Sequence, residues 1–228
     1  MRHFALVVIA AAALGIAANG ARALEGRLMR FPDIHGDRVV FTYEDDLWTA
    51  PANGGLATRL TSHPGIEIYS SFSPNGASIA FTGSYDGGND VYLVPSTGGE
   101  PVRLTYHPAY DRVVGWTPDG EYILFVSMRG LSPELFGVSV RGGFEKKYPL
   151  DQVAYASLSA DGKRVALNRF NSDRMNWKGY QGGAQQDIYV ASVDGADWKK
   201  ITDWPGYDNF PIGTAGGSIS IRTAKTAG

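Results

Sequence analysis

The chain has 228 residues, 43% of them apolar, and a formal charge of -2, which suits one large domain or two small ones and offers no basic run for a row of phosphates. With no cysteine, disulfides and thiol chemistry are excluded, and stability must come from packing. The 29 glycines, 12 prolines, 12 tyrosines and 10 phenylalanines favour short strands joined by tight turns, so the expected class is all-β.

Residues 1–23 read as a secretory signal peptide: a short basic start, an apolar run from Phe4 to Ala18, then small residues ending in Ala21-Arg22-Ala23. Cleavage there makes Leu24 the mature N-terminus, with cleavage before Ala21 as the alternative. The apolar run is short for a bilayer-spanning helix, and no Arg-Arg pair marks export of a folded protein. Removal leaves 19 basic residues against 23 acidic, a charge of -4. The expected location is periplasmic or secreted, with no membrane contact after processing and no nucleic-acid partner.

Residues 24–212 are built from a repeated unit. The stretch LTSHPGIEIYSSFSPNG, Leu60 to Gly76, returns as LTYHPAYDRVVGWTPDG, Leu104 to Gly120, at an offset of 44. The same offset pairs Asp46 with Asp90, Trp48 with Tyr92, Arg59-Leu60-Thr61 with Arg103-Leu104-Thr105, His63-Pro64 with His107-Pro108, Phe72 with Trp116, and Phe81 with Phe125. Within a unit, IYSSFS, SIAFTG, DVYLVPS and PVRLT read as four short strands bounded by Gly, Pro, Asn and Asp. The Pro-Asn-Gly and Pro-Asp-Gly turns between the first two follow from proline's fixed φ and glycine's access to positive φ.

A third unit carries ELFGVSVRGG and LSADGKRVAL. The fourth carries DIYVASVDG and ends on Trp204-Pro205 where earlier units have His-Pro, after an insertion at 171–186. A period in the low forties with four strands per repeat indicates propeller blades stacked radially. The expected architecture is four blades and the start of a fifth, an incomplete ring. Trp48, Tyr92, Phe136, Tyr189 and the pair Phe72/Trp116 are the expected contacts between blades. An incomplete ring leaves two open sheet edges and an uncovered apolar face, which predicts poor solubility or association. Residues 213–228 break the pattern and are expected to be a frame-shifted or disordered tail.

The SPNG and TPDG turns, the following I-A-F strand, the Asp-hydrophobic-Tyr strand and GG-x-x-x-x-LT resemble TolB-like propeller repeats. The longer run from Thr58 to Gly120 resembles the N-terminal six-bladed propeller of tricorn-type serine proteases, and the likeness extends from about Arg30 to Pro211. The resemblance implies a modular, exported peptidase in which this propeller gates substrate or product passage or acts as a scaffold. Its catalytic serine and histidine would lie in later modules, so no catalytic residue carries over. The implied partners are a peptide substrate or other domains and subunits of the peptidase. The alternative is a stand-alone periplasmic TolB-like propeller that binds a protein partner.

Candidate sites are few. His63 and His107 occupy equivalent places, which blade symmetry turns apart by about 60° in a six-bladed ring, so the expectation is a loop-capping imidazole and not a shared metal ligand. His35 reads as a surface turn residue. Glu44-Asp45-Asp46 and Asp86-Gly87-Gly88-Asn89-Asp90 lack the ligand spacing of a calcium loop, and no metal or cofactor is expected. No G-x-S-x-G occurs, and Gly216-Gly217-Ser218-Ile219-Ser220 lacks the final glycine. The 171–186 insertion, with Arg174, Trp177, Lys178 and Tyr180, is the best candidate for contact with a peptide or a neighbouring domain, against a plain decorated loop.

Overall fold

The computed structural model describes residues 28–170, 185–203, 208–213 and 219–223. Residues 1–23, expected to be a signal peptide, nearly all of the insertion, Trp204-Pro205 and most of the tail lie outside the described residues.

Among the described residues the chain forms four four-stranded antiparallel sheets and a two-stranded start of a fifth, with no α-helix. Blade one holds β1 (Arg30–His35), β2 (Arg38–Tyr43), β3 (Asp46–Pro51) and β4 (Thr58–Arg59). Blade two holds β5 (Glu67–Phe72), β6 (Ser78–Gly83), β7 (Asp90–Pro95) and β8 (Val102–Arg103). Blade three holds β9 (Asp111–Trp116), β10 (Tyr122–Ser127), β11 (Glu134–Ser139) and β12 (Lys146–Lys147). Blade four holds β13 (Tyr155–Leu158), β14 (Arg164–Asn168), β15 (Ile188–Ser192) and β16 (Lys199–Lys200), and β17 (Asp208–Gly213) pairs with β18 (Ile219–Thr223). Each blade is a meander in sequence order, the open ring of a β-propeller expected from the repeat.

The repeated residues are the ones that close each blade. An acid at the start of the third strand pairs with a base on the fourth: Asp46 with Arg59, Asp90 with Arg103 at 2.8 Å, Glu134 with Lys147 at 2.7 Å and Asp187 with Lys200 at 2.7 Å. Two residues after three of those bases, a threonine hydroxyl accepts the backbone N–H that follows the acid: Leu47 to Thr61 (3.0 Å), Val91 to Thr105 (2.9 Å) and Ile188 to Thr202 (3.0 Å). The fourth strand, only two residues long, is thus held by side chains as well as by its ladder, and its charge blunts the blade's outer edge. The turns between first and second strands are built alike. Ser73, Thr117 and Ser159 donate to Asn75, Asp119 and Asp161, whose same oxygens accept N–H groups two residues on. Those bonds hold the Asp119 and Asp161 carboxyls below the usual range.

Three apolar clusters fill the seams. Val40 and Leu47 of blade one meet Phe72, Ile79, Phe81 and Tyr92 of blade two. Ala80 and Val91 of blade two meet Val113, Ile123, Phe125 and Phe136 of blade three. Leu124 and Leu135 of blade three meet Leu158, Val165 and Leu167 of blade four. The expected contacts at Phe72, Tyr92, Trp116, Phe136 and Tyr189 lie in or against these clusters. Trp48 differs: it is half-buried, donates Nε1–H to the Tyr43 carbonyl at 3.1 Å and meets the Tyr43 ring edge-on. Its equivalents each face the preceding blade, and blade one has no preceding blade among the described residues.

Gly76 fits tightly at the first seam. Its φ is +68°, and a Cβ there would lie 2.3 Å from the His35 ring, so only glycine lets the turn approach blade one this closely.

Candidate functional site

The first strands β1, β5, β9, β13 and β17 adjoin one another in chain order and form the inner rim of the open ring. Three of them carry the same irregularity. The ladder slips between Arg30 and Asp33, between Ile68 and Ser71, and between Asn209 and Ile212. The first residue of each slip is an aromatic with positive φ: Phe31 at 52°, Tyr69 at 56° and Phe210 at 55°. A left-handed non-glycine residue costs about 1–2 kcal/mol, and a bulge re-aims the side chain it carries.

These rings point across the seams into one another. Phe31 meets Tyr69 at 4.3 Å between centroids; the Arg112 guanidinium lies 5.4 Å from the Tyr69 ring and 4.3 Å from the Tyr155 ring; Tyr155 meets Phe210 at 4.7 Å. The result is a continuous ribbon of five side chains, one from each inner strand. Arg112 sits at its centre, 5% exposed, donating to the Ala154 carbonyl, and among the described residues no carboxylate pairs with it. One end of the ribbon is open, with Phe210 45% exposed, and Phe31 at the other end is half-buried. Beside it, Phe72 N–H donates to Asp33 at 2.7 Å and Trp116 Nε1–H to the Ser71 carbonyl at 3.1 Å, so β1, β5 and β9 are also tied to one another by polar bonds.

At the start of the inner strands stand buried acids whose treatment differs by blade. Burial raises the carboxyls of Glu67, Asp111 and Asp208. Asp111 is met by Arg129 at 2.9 Å, and Arg129 also reaches Glu145 at 3.1 Å. Glu67, 44 residues before Asp111, is met by no cation among the described residues; it accepts from Thr61, Tyr85 and the Leu47 N–H, and Tyr85 stands where the third blade has Arg129. Because the folded Glu67 carboxyl is raised above 4.5, its contribution to stability is full below that pH and is lost as pH rises through the raised value. Glu67→Gln keeps the shape, and its amide can donate to the Tyr85 oxygen. Urea unfolding across a pH series is expected to show the substituted protein gaining on the parent as pH rises above about 4.5. A difference independent of pH would contradict the assignment.

The histidines foreseen as loop caps do cap loops. Gly65 N–H donates to His63 Nδ1 and Ala109 N–H to His107 Nδ1, both at 3.0 Å, which leaves each neutral ring's proton on Nε2. His35 is not a free surface turn residue: it is half-buried against Gly76, with Nε2 3.1 Å from the Pro74 carbonyl, because the blade-two turn packs on the end of β1. The two acidic runs are drawn into ion pairs: Asp45 with Arg30, Asp46 with Arg59, and Asp86 and Asp90 with Arg103. Among the described residues no three His, Cys, Asp or Glu side chains are grouped to hold a metal ion. Arg174, Trp177, Lys178, Tyr180 and the Gly216 to Ser218 stretch lie outside the described residues. The ribbon escapes sequence reading because its members are of different types and fall off the 44-residue offset. Phe31-Pro32 and Phe210-Pro211, equivalent in the two slips, were the available signal.

Residues 26–220 match the family model described as the tricorn protease N-terminal beta propeller domain. A tricorn protease homolog from Saccharolobus solfataricus is 29% identical over 188 residues, covering 80% of this chain and 17% of its own length. The crystal structure of the tricorn protease aligns with a TM-score of 0.67 at 29% identity, covering 81% of this chain and 19% of that one. A putative TolB from Agrobacterium tumefaciens aligns with a TM-score of 0.69 at 24% identity, over 85% of this chain and 69% of that one, a likeness of fold. The chain thus spans less than a fifth of the length of the tricorn relatives it matches here.

Proposed function

The chain belongs to the family of tricorn protease N-terminal propellers, and from that premise we propose that it is the propeller of an exported tricorn-like peptidase, gating peptide passage along its inner rim without catalytic residues of its own. The observation that carries this reading is the ribbon from Phe31 to Phe210. Aromatic rings, three of them held in strained backbone, are locked in place around the buried Arg112 guanidinium, and where the ribbon reaches the surface, as at the 45% exposed Phe210, they give a passing peptide an apolar face. The same surface serves as a scaffold wherever a neighbouring domain lies across it.

A photo-crosslinking peptide incubated with the purified chain is expected to label the inner strands β1, β5, β9 and β13, with no hydrolysis of the peptide. Tyr69→Ala is expected to lower that labelling several-fold. Labelling confined to the outer strands, or unaffected by Tyr69→Ala, would rule out the gating role. Export is tested separately: N-terminal sequencing of the protein from a periplasmic or culture fraction is expected to begin at Leu24, and an intact Met1 would refute it.

A further inference from the structure

The seams between blades are equivalent by repeat, yet they are not filled alike. At the second seam Arg129 is a plug. Its guanidinium lies 4.8 Å from the Phe136 ring and 5.4 Å from the Phe125 ring, between the carboxylates of Asp111 and Glu145. At the first seam Phe136 is replaced by Tyr92, Arg129 by Tyr85 and Glu145 by Pro101, each 44 residues earlier; Tyr85 takes the Arg129 seat, its ring 4.4 Å from Tyr92 and its hydroxyl donating to Glu67, so this seam carries no cation of its own in that seat. There a cavity of about 480 Å³ stands open, lined among others by His63, Tyr85, Asp86, Tyr92, Glu100 and Arg103.

Two observations indicate what this cavity takes. Tyr92 is only 2% exposed, and its hydroxyl has no hydrogen-bond partner among the described residues, although its equivalent at the second seam is a phenylalanine that needs none. An orphaned buried hydroxyl costs about 1–3 kcal/mol, which a ligand donor would recover. The charge is the second. Arg59 and Arg103 are bound to the buried acids Asp46 and Asp90, and Arg103 also reaches Asp86 at 3.1 Å, whereas Glu100 is exposed and Asp86 remains 65% exposed beside its pair. The lining therefore presents carboxylates at its mouth and aromatic rings within, with His63 and Tyr85 stacked at 3.7 Å.

We propose that the first seam is a binding site for an arginine side chain carried by a peptide segment, taken up in the cavity beside the Tyr85 ring and not in the Arg129 seat that Tyr85 fills. The guanidinium pairs with Glu100 and Asp86, lies against the aromatic wall and donates to the Tyr92 hydroxyl. The site lies at the blade seam, apart from the inner-strand ribbon, and does not depend on the gating role.

Calorimetric titration of the whole chain with a blocked Gly-Gly-Arg-Gly-Gly peptide tests it, beside matched peptides carrying citrulline or glutamate. The arginine peptide is expected to bind at least about tenfold more tightly than either. Asp86→Asn with Glu100→Gln is expected to weaken binding about tenfold or more, and Tyr92→Phe several-fold, while the melting temperature of Tyr92→Phe stays level or rises because an unpaired hydroxyl is removed. Equal binding of the citrulline peptide, preference for the glutamate peptide, no measurable arginine binding, or unchanged affinity in the doubly substituted protein each overturns the proposal.

Discussion

Arg129→Ala is expected to destabilise the propeller by about 3–5 kcal/mol, read from the midpoint of urea unfolding, because it strands a buried charge. Arg129 is 14% exposed at its side chain and pairs with Asp111, whose side chain is 0% exposed. It also donates to Ser127 Oγ at 3.1 Å. Although burial works against its charge, Glu145 and Asp111 hold the guanidinium above its ordinary value. Without Arg129, Asp111 has to lie ionised in an apolar seam or take up a proton. Its raised carboxyl rises further, and the deficit relative to the parent narrows as pH falls through that value. Removing both charges together, Arg129→Met with Asp111→Asn, is expected to recover most of the loss, since a neutral filled site avoids the desolvation that makes a broken pair costly. Equal destabilisation in the single and double substitutions would show that packing alone is at stake.

That contrast between blades also marks how far the sequence is legible. The repeat reveals the blade because the residues it preserves solve the same local problem each time. The Asp46, Asp90, Glu134 and Asp187 pairs each hold a two-residue outer strand, and the Ser-Pro-Asn-Gly type turns each reverse the chain. Seam fillers are legible as apolar positions but not as partners. Tyr92 and Phe136 look interchangeable until one is found to have a hydroxyl without a bond and the other a guanidinium above it. Trp48 shows the converse, a residue of the right type whose partner blade is absent among the described residues. The inner ribbon is the least legible part, since it arises from backbone slips that change which strand a side chain faces. No periodicity of residue types records a positive φ at Tyr69. His35 fails for a related reason: its burial is set by Gly76, 41 residues away, and not by its own turn.

The second large effect belongs to Phe125, fully buried at the second seam and stacked on Phe136 at 5.6 Å. Phe125→Ala is expected to cost about 3–5 kcal/mol, the transfer free energy of the ring together with a cavity that two rigid sheets cannot collapse to fill. Phe125→Leu, which keeps most of the volume, is expected to cost about 1–2 kcal/mol. The seams should respond independently. Phe81, at the equivalent place in the first seam, shares no partner with Arg129, so Phe81→Ala and Arg129→Ala are expected to add within about 0.5 kcal/mol. Phe125→Ala and Arg129→Ala are not, because the guanidinium lies 5.4 Å from the Phe125 ring and loses one face of its site when that ring is removed. Their combined cost is expected to fall short of the sum by about 0.5–2 kcal/mol. Additivity in that pair, or coupling of the same size between Phe81 and Arg129, would mean that the guanidinium is held by its carboxylates alone. In that case the aromatic half of the second seam would be packing alone and no part of the cation's site.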